Sequence, residues 1–334
     1  IGVRLVGSEM CIRDRYKNCD TDNTEVIMEL FHNVFSVASH HDNLKLSALS
    51  VCPEHPKAVV QLAHGMCEHK ERYLPFMRFL AENGYAAFIH DHRGHGESVL
   101  DKGDLGYFYD GGARALIDDM HLITEHIQSV YPSLPLALFG HSMGSLAVRC
   151  YTKRYDRRIK ALIVCGSPSA NAFTGVMKKI DDLLIHAKGE RSRSDIIDTV
   201  FSGAFQARFR SEGIENAWLS SDRSVSEAYN ADPLCHFTFT LNGYKALLEL
   251  LTDTYDDCGW KMENPSLPIR FLSGANDPCM VNRSAFARSV EHMRKVGYTN
   301  VSSRLFEGMR HEILNETEKE LVYADILDFL DKTL

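Results

Sequence analysis

The sequence predicts an α/β protein: a mostly parallel sheet with helices on both faces, interrupted by a helical insertion. Three observations carry this. Short apolar runs that fit buried parallel strands alternate with amphipathic runs of helical period up to about residue 166. The alternation stops over residues 167–265, where the segments are helical and rich in aromatics, and resumes at Ile269. A serine between two glycines, Gly140-His-Ser-Met-Gly144, joins one such strand to one such helix.

Taken in order, the chain opens on a stretch without an initiator methionine or the long apolar core of a leader. Residues 6–15, Val-Gly-Ser-Glu-Met-Cys-Ile-Arg-Asp-Arg, resemble translated sequencing-adapter read-through. Residues 1–15 are therefore expected to be a non-native scar that pairs with no other element, and residues 18–24 to be loose. Residues 29–39 and 43–51 read as a hairpin, ended by Pro53 and Pro56. The apolar run 58–63 is a buried strand leading into His64-Gly-Met-Cys-Glu-His69. A helix follows over about 72–83, stopped by Gly84, and then the strand 85–90. After the turn Asp91-His-Arg-Gly-His-Gly-Glu-Ser98 comes a helix over 116–130, with Leu116, Met120, Ile123 and Ile127 on one face. Pro132 and Pro135 bracket the turn into the strand that ends at Gly140, and the helix after Ser142 runs to about Tyr155. Beyond the strand 161–166 and the insertion, the pattern closes with strand 269–274, helix 282–297, strand 301–306 and helix 316–330. The expected division is a core of 28–166 and 266–334 with a helical cap, 167–265.

Composition narrows the function classes. The chain has 334 residues, 44% hydrophobic and 25% charged, values of a soluble globular protein. A formal charge of −8 argues against nucleic acid as a partner. Nine scattered cysteines without a C-x-x-C pair read as reduced thiols in a cytoplasmic protein rather than a disulfide or zinc framework. No run of about 18 apolar residues marks a membrane span.

The serine motif sets the chemistry. A nucleophile at the tip of a strand-to-helix turn needs glycine at Gly140 and Gly144, where side chains would collide, and the helix N-terminus aims its free N–H groups at the reacting oxygen. A serine hydroxyl needs a base, and the base an orienting acid, in the order serine, acid, histidine. Asp277 follows the strand 269–274, and His311 follows the strand 301–306, so all three candidates lie at strand carboxyl ends. Asp253, Asp256 and Asp257 are rival acids but sit in the insertion, and Asp277 could also simply cap the turn after it. The oxyanion would take backbone N–H groups from Met143, directly after the serine, and from Met66, whose loop Gly65 allows to approach closely. His90, His92 and His95 have an H-x-H-x-x-H spacing that suits zinc, but Gly94 stands where the metallo-hydrolase pattern wants aspartate, so no metal is assigned.

These residues together resemble one family. The His64–His69 and Asp91–Ser98 stretches, Gly140-His-Ser-Met-Gly144 and the loops of Asp277 and His311 are similar to the monoacylglycerol lipase and lysophospholipase branch of the α/β-hydrolases, within the serine aminopeptidase S33-like group. Trp218-Leu-Ser-Ser-Asp222 and Tyr229-Asn-Ala-Asp-Pro-Leu234 resemble cap segments of that branch. The resemblance runs from about Phe31 to the C-terminus. It departs at Ser145, where the family often has glycine.

The resemblance implies an α/β-hydrolase fold, a triad of Ser142, Asp277 and His311, oxyanion donors at Met66 and Met143, and no cofactor. It implies a serine esterase acting on a lipid-like ester of one acyl chain, with transient membrane-surface contact through the cap. Two alternatives stay open: a proline iminopeptidase-type peptidase on the same triad, which would need a cap carboxylate such as Glu212 or Glu215, and a non-catalytic binding module of the same fold. Candidate acyl-binding residues come at helical spacing in the cap: Val176, Ile180, Leu183 and Leu184; Phe201, Phe205 and Phe209; Leu247, Leu248 and Leu251.

Overall fold

The computed structural model describes residues 10–19, 25–170 and 174–334. Nine strands form one sheet: β1 (Met10–Cys19), β2 (Glu25–Ala38), β3 (Lys45–Pro53), β4 (Ala58–Ala63), β5 (Tyr85–His90), β6 (Leu136–His141), β7 (Ala161–Cys165), β8 (Ile269–Gly274) and β9 (Val301–Phe306). Their order is β1-β2-β3-β5-β4-β6-β7-β8-β9. The first three strands and the β3–β5 pair are antiparallel; every other pair is parallel. Strands β4 to β7 are buried along their whole length, which is why they read as continuous apolar runs rather than alternating ones.

The connecting helices are α1 (Leu74–Glu82), α2 (Gly112–Val130), α3 (Met143–Tyr155), α8 (Arg283–Lys295) and α9 (Lys319–Thr333). One sheet face packs on α1 and α9 through Phe76, Leu80, Val322 and Ile326. The other packs on α2, α3 and α8 through Met120, Ile123, Leu146 and Phe286. This is the α/β-hydrolase architecture expected from the sequence.

The insertion holds α4 (Thr174–Lys188), α5 (Asp195–Arg208), α6 (Arg223–Ala231) and α7 (Leu241–Tyr255). Among the described residues its only β pairing is an isolated bridge, Arg193 with Thr240. Helix α7 does not stand above the core but packs against α2 and α3, with Cys150 Sγ 3.2 Å from Thr254 Oγ1 and Lys153 Nζ 2.9 Å from Asp253 Oδ1. No helix among the described residues is long and apolar enough to cross a membrane.

The N-terminal expectation needs a correction. Residues 1–9 and 20–24 lie outside the described residues, but Met10 to Arg15 do pair, opposite Val34 to Glu29, and β1 continues through Asn18 to Cys19. No strand signal is legible there because 10–19 is largely polar and charged, and a strand at the sheet's rim needs no continuous apolar run.

Candidate active site

Parallel strands place their carboxyl ends on one edge of the sheet. The loops after β4, β6, β8 and β9 therefore converge, bringing Met66, Ser142, Asp277 and His311 together. Ser142 sits at φ 53°, ψ −117°, a strained backbone for a residue with a side chain. A Cβ on Gly140 would run into the Gly144 carbonyl and the Val148 side chain, and one on Gly144 into the carbonyls of Ala63 and His64. The nucleophile turn is thus wedged against the end of β4, and only hydrogen fits at those two positions. Ser145 sits behind the turn, its Oγ donating to the Ser142 carbonyl at 2.5 Å.

His311 Nδ1 lies 3.0 Å from both oxygens of Asp277. A carboxylate only accepts, so Nδ1 carries the proton and Nε2 is left as the acceptor that a serine proton requires. Asp277 is fully buried and also receives Cys279 N at 2.8 Å and Ser273 Oγ at 3.1 Å. The capping role and the orienting role are therefore filled by the same carboxylate. The rival acids are engaged elsewhere: Asp253 with Lys153 and Arg154, Asp257 with Lys295.

Ser142 and His311 share the wall of a cavity of about 250 Å³ with Met66 and Met143. Met143 is the first residue of α3, so its N–H has no partner within the helix. A Cβ on Gly65 would meet Ser142 Cβ at 3.1 Å, so the loop that carries Met66 lies directly against Ser142. The Trp218 ring packs 4.9 Å from the His311 ring and encloses the site on the cap side.

The cap stripes sort into two groups. Phe201 and Phe205 of α5 and Leu247 and Leu251 of α7 line the cavity, whereas Val176, Ile180 and Leu183 of α4 are exposed on the outside. Leu184 packs partly buried on the main core, Leu248 is fully buried, and the Phe209 ring lies under the Arg310 guanidinium at 4.3 Å. Of the two cap carboxylates, Glu212 is bound by Arg310. Glu215 reaches the cavity but lies 3.2 Å from His236 Nε2.

Behind Ser142 and His311 lies a charged cluster that sequence reasoning did not single out. Glu68 Oε1 receives Gly65 N at 2.5 Å and Tyr73 OH at 2.9 Å, and lies 3.3 Å from Nδ1 of His141, the residue before the nucleophile. Arg72 bridges Glu68 Oε2 and both oxygens of Glu312, the residue after His311. Burial would raise both carboxyls, but His141 and Arg72 overcome it at Glu68, and Arg72 at Glu312, so both stay below the ordinary carboxylate range. Burial lowers His141 while Glu68 more than compensates, and its pKa is raised.

His90, His92 and His95 do not form a metal centre among the described residues. Their rings meet one another and Phe108 edge-on, His92 lies tilted against His64, and no three of their nitrogens meet in one ligand set. Burial depresses all of them, His90 to about 3 and His95 to about 4.

Comparison with known proteins supports the fold. The chain is 26% identical over 289 residues to a monoacylglycerol lipase of Mycolicibacterium smegmatis, covering 82% of this chain and 88% of that protein. It is 24% identical to phospholipase YtpA of Bacillus subtilis, covering 84% of this chain and 97% of that one. A thermostable carboxyl esterase from Bacillus coagulans, solved with glycerol, superposes with a TM-score of 0.84 at 25% identity, covering 90% of this chain and 98% of that one. The family model described as serine aminopeptidase, S33, matches residues 54–318. The chain is an α/β-hydrolase, and by that match it belongs to the serine aminopeptidase S33 family.

Proposed function

We propose that the protein is a serine ester hydrolase for lipid-like esters of a single acyl chain, of the monoacylglycerol or lysophospholipid kind. One observation carries the reading: Ser142 and His311 share one cavity with the apolar side chains of Phe201, Phe205, Leu247 and Leu251. His311 Nε2 takes the Ser142 proton, and Ser142 Oγ attacks the ester carbonyl. The N–H groups of Met66 and Met143 hold the oxyanion, and the imidazolium returns its proton to the leaving alcohol. Water activated by His311 then releases the fatty acid from the acyl-enzyme. Every atom of this cycle comes from substrate, water and side chains, so no cofactor enters it.

The exposed Val176, Ile180 and Leu183 of α4 are the side chains that would touch a lipid surface while the enzyme works in the cytoplasm. The peptidase reading is disfavoured by the pairing of Glu212 with Arg310, which takes up one of the two cap carboxylates it would need for a substrate amine.

The test is a panel of p-nitrophenyl esters of rising chain length, monoacylglycerols, lysophospholipids and prolyl-naphthylamides. Each buried CH₂ contributes about 0.8 kcal/mol, so kcat/KM should rise with chain length until the cavity is full. Monoacylglycerol should be cleaved, with little activity on triacylglycerol or prolyl amides. A fluorophosphonate should label Ser142, and Ser142→Ala should lower kcat by about 10³ to 10⁶. A flat chain-length response or a preference for the prolyl amide would overturn the lipid reading.

A further inference from the structure

His69 takes no part in the chemistry above. It follows Glu68 in the loop that leaves β4, and its ring is buried. Nδ1 lies 2.7 Å from Glu71 Oε2, and Nε2 lies 2.9 Å from Asp232 Oδ2. Asp232 ends α6, and its Oδ1 accepts from Leu234 N at 2.8 Å, which fixes the direction of the carboxylate. Cys235 N donates to the Asp232 carbonyl at 3.0 Å, closing a tight turn that brings the buried thiol back toward the same place. One donor atom from each of His69, Asp232 and Cys235 lies within 4.8 Å of the other two.

We infer that His69, Asp232 and Cys235 form a binding site for one zinc ion, tying the turn after α6 in the cap to the loop that carries Met66. Nitrogen, oxygen and sulfur donors together select a borderline-soft ion over magnesium or calcium, which take oxygen ligands. Zinc holds such donors at about 2.0 to 2.3 Å in a tetrahedron, so small side-chain rotations close the observed spacing. Glu71 supplies the outer carboxylate that metal-binding histidines use: it holds Nδ1 and leaves Nε2 for the ion. Carboxylate, thiolate and neutral imidazole together carry two negative charges, which match the ion, and water fills the fourth position.

Binding displaces two protons, one from His69 Nε2 and one from the Cys235 thiol. Because ligand protons leave as the ion binds, zinc affinity should rise with pH. The site stands apart from Ser142 and takes no step in the hydrolysis.

The experiment titrates zinc chloride into chelator-stripped full-length protein against a chromophoric chelator, and repeats the titration with cobalt(II) to read the thiolate-to-cobalt charge-transfer band. One ion per chain and a band that disappears in Cys235→Ser are expected. Cys279→Ala and Cys258→Ser should keep the band, and Glu71→Gln should weaken zinc binding by about 10- to 100-fold. If Cys235→Ser fails to fold, alkylation mapping of the unmodified protein decides instead: zinc, but not magnesium, should protect Cys235. No stoichiometric zinc, a band that survives in Cys235→Ser or vanishes in Cys279→Ala, or an unprotected Cys235 would overturn the assignment.

Discussion

Arg72 grips Glu312 through two parallel hydrogen bonds, Nη1 to Oε1 at 2.8 Å and Nη2 to Oε2 at 2.7 Å. Glu312 directly follows His311, and Arg72 also binds Glu68, which receives the Gly65 N–H. One guanidinium therefore ties the histidine loop to the oxyanion loop. Removing it strands two buried carboxylates. Arg72→Met should cost about 3 to 5 kcal/mol of unfolding free energy in urea titrations. The triple variant that also carries Glu68→Gln and Glu312→Gln should lose less than Arg72→Met alone, because no charge is left unpaired. A loss below about 1 kcal/mol for Arg72→Met would mean the cluster does not hold the loops.

The symmetric contact of Asp277 with His311 Nδ1 predicts a large kinetic effect without a structural one. Asp277→Asn keeps the shape but can donate to Nδ1, favouring the tautomer whose Nε2 carries the proton and cannot accept from Ser142. The expected loss is about 10⁴ in kcat, with an unchanged melting temperature. Near-normal turnover would move the acid elsewhere, and Asp253→Asn would then be the variant to measure.

What could be read in advance follows from where information lies in the chain. Strands β4 to β7 are unbroken apolar runs, and Ser142, Asp277 and His311 each follow a strand legible in the sequence, so the fold and the candidate residues that meet at the sheet edge could be read in advance. The Arg72–Glu312 pair was not, because its members are 240 residues apart and neither belongs to a local pattern. The cap stripes were legible as amphipathic, but periodicity is blind to what a face meets. Val176 and Ile180 look outward while Phe201 and Phe205 line the cavity, and packing alone decides between them. Strand β1 was missed because its polar residues leave no buried-strand signature.

The buried histidines near the oxyanion loop predict acid sensitivity. His90 is fully buried, and burial, helped by the Lys70 charge, pushes it down to about 3. Between that value and the unfolded value of about 6.5, the unfolded chain binds a proton that the folded chain refuses. The stability this residue contributes is therefore intact above pH 6.5 and is lost as pH falls below it. From pH 7.5 to 5.5 the loss is about 1.4 kcal/mol for each such histidine. His69, raised to about 11, works in the opposite direction, its contribution being full below 6.5 and lost as pH rises toward 11. Urea unfolding at the two pH values should show that His90→Phe removes about 1.4 kcal/mol of the pH dependence. An unchanged difference between the two pH values would show that His90 is protonated in the folded protein.

The last prediction concerns the N-terminal strand. Among the described residues β1 pairs only with β2, at the outer edge of the sheet, and β2 keeps its full register with β3 from Leu30 opposite Pro53 to Ala38 opposite Lys45. Strands β3, β5 and β4 then separate β2 from β6 and the nucleophile turn. A chain starting at Asn18 should therefore hydrolyse esters with unchanged kcat/KM and melt within about 4 °C of the full chain, a difference of roughly 1 kcal/mol. It should also become more prone to associate, because β2 then presents a row of open N–H and C=O groups at the sheet edge. Calorimetry with light scattering separates the two effects. If residues 1–15 are a non-native scar, activity survives and only association changes. A fall of more than about 10 °C, or a loss of kcat/KM, would mean that Met10–Cys19 is a working part of the fold.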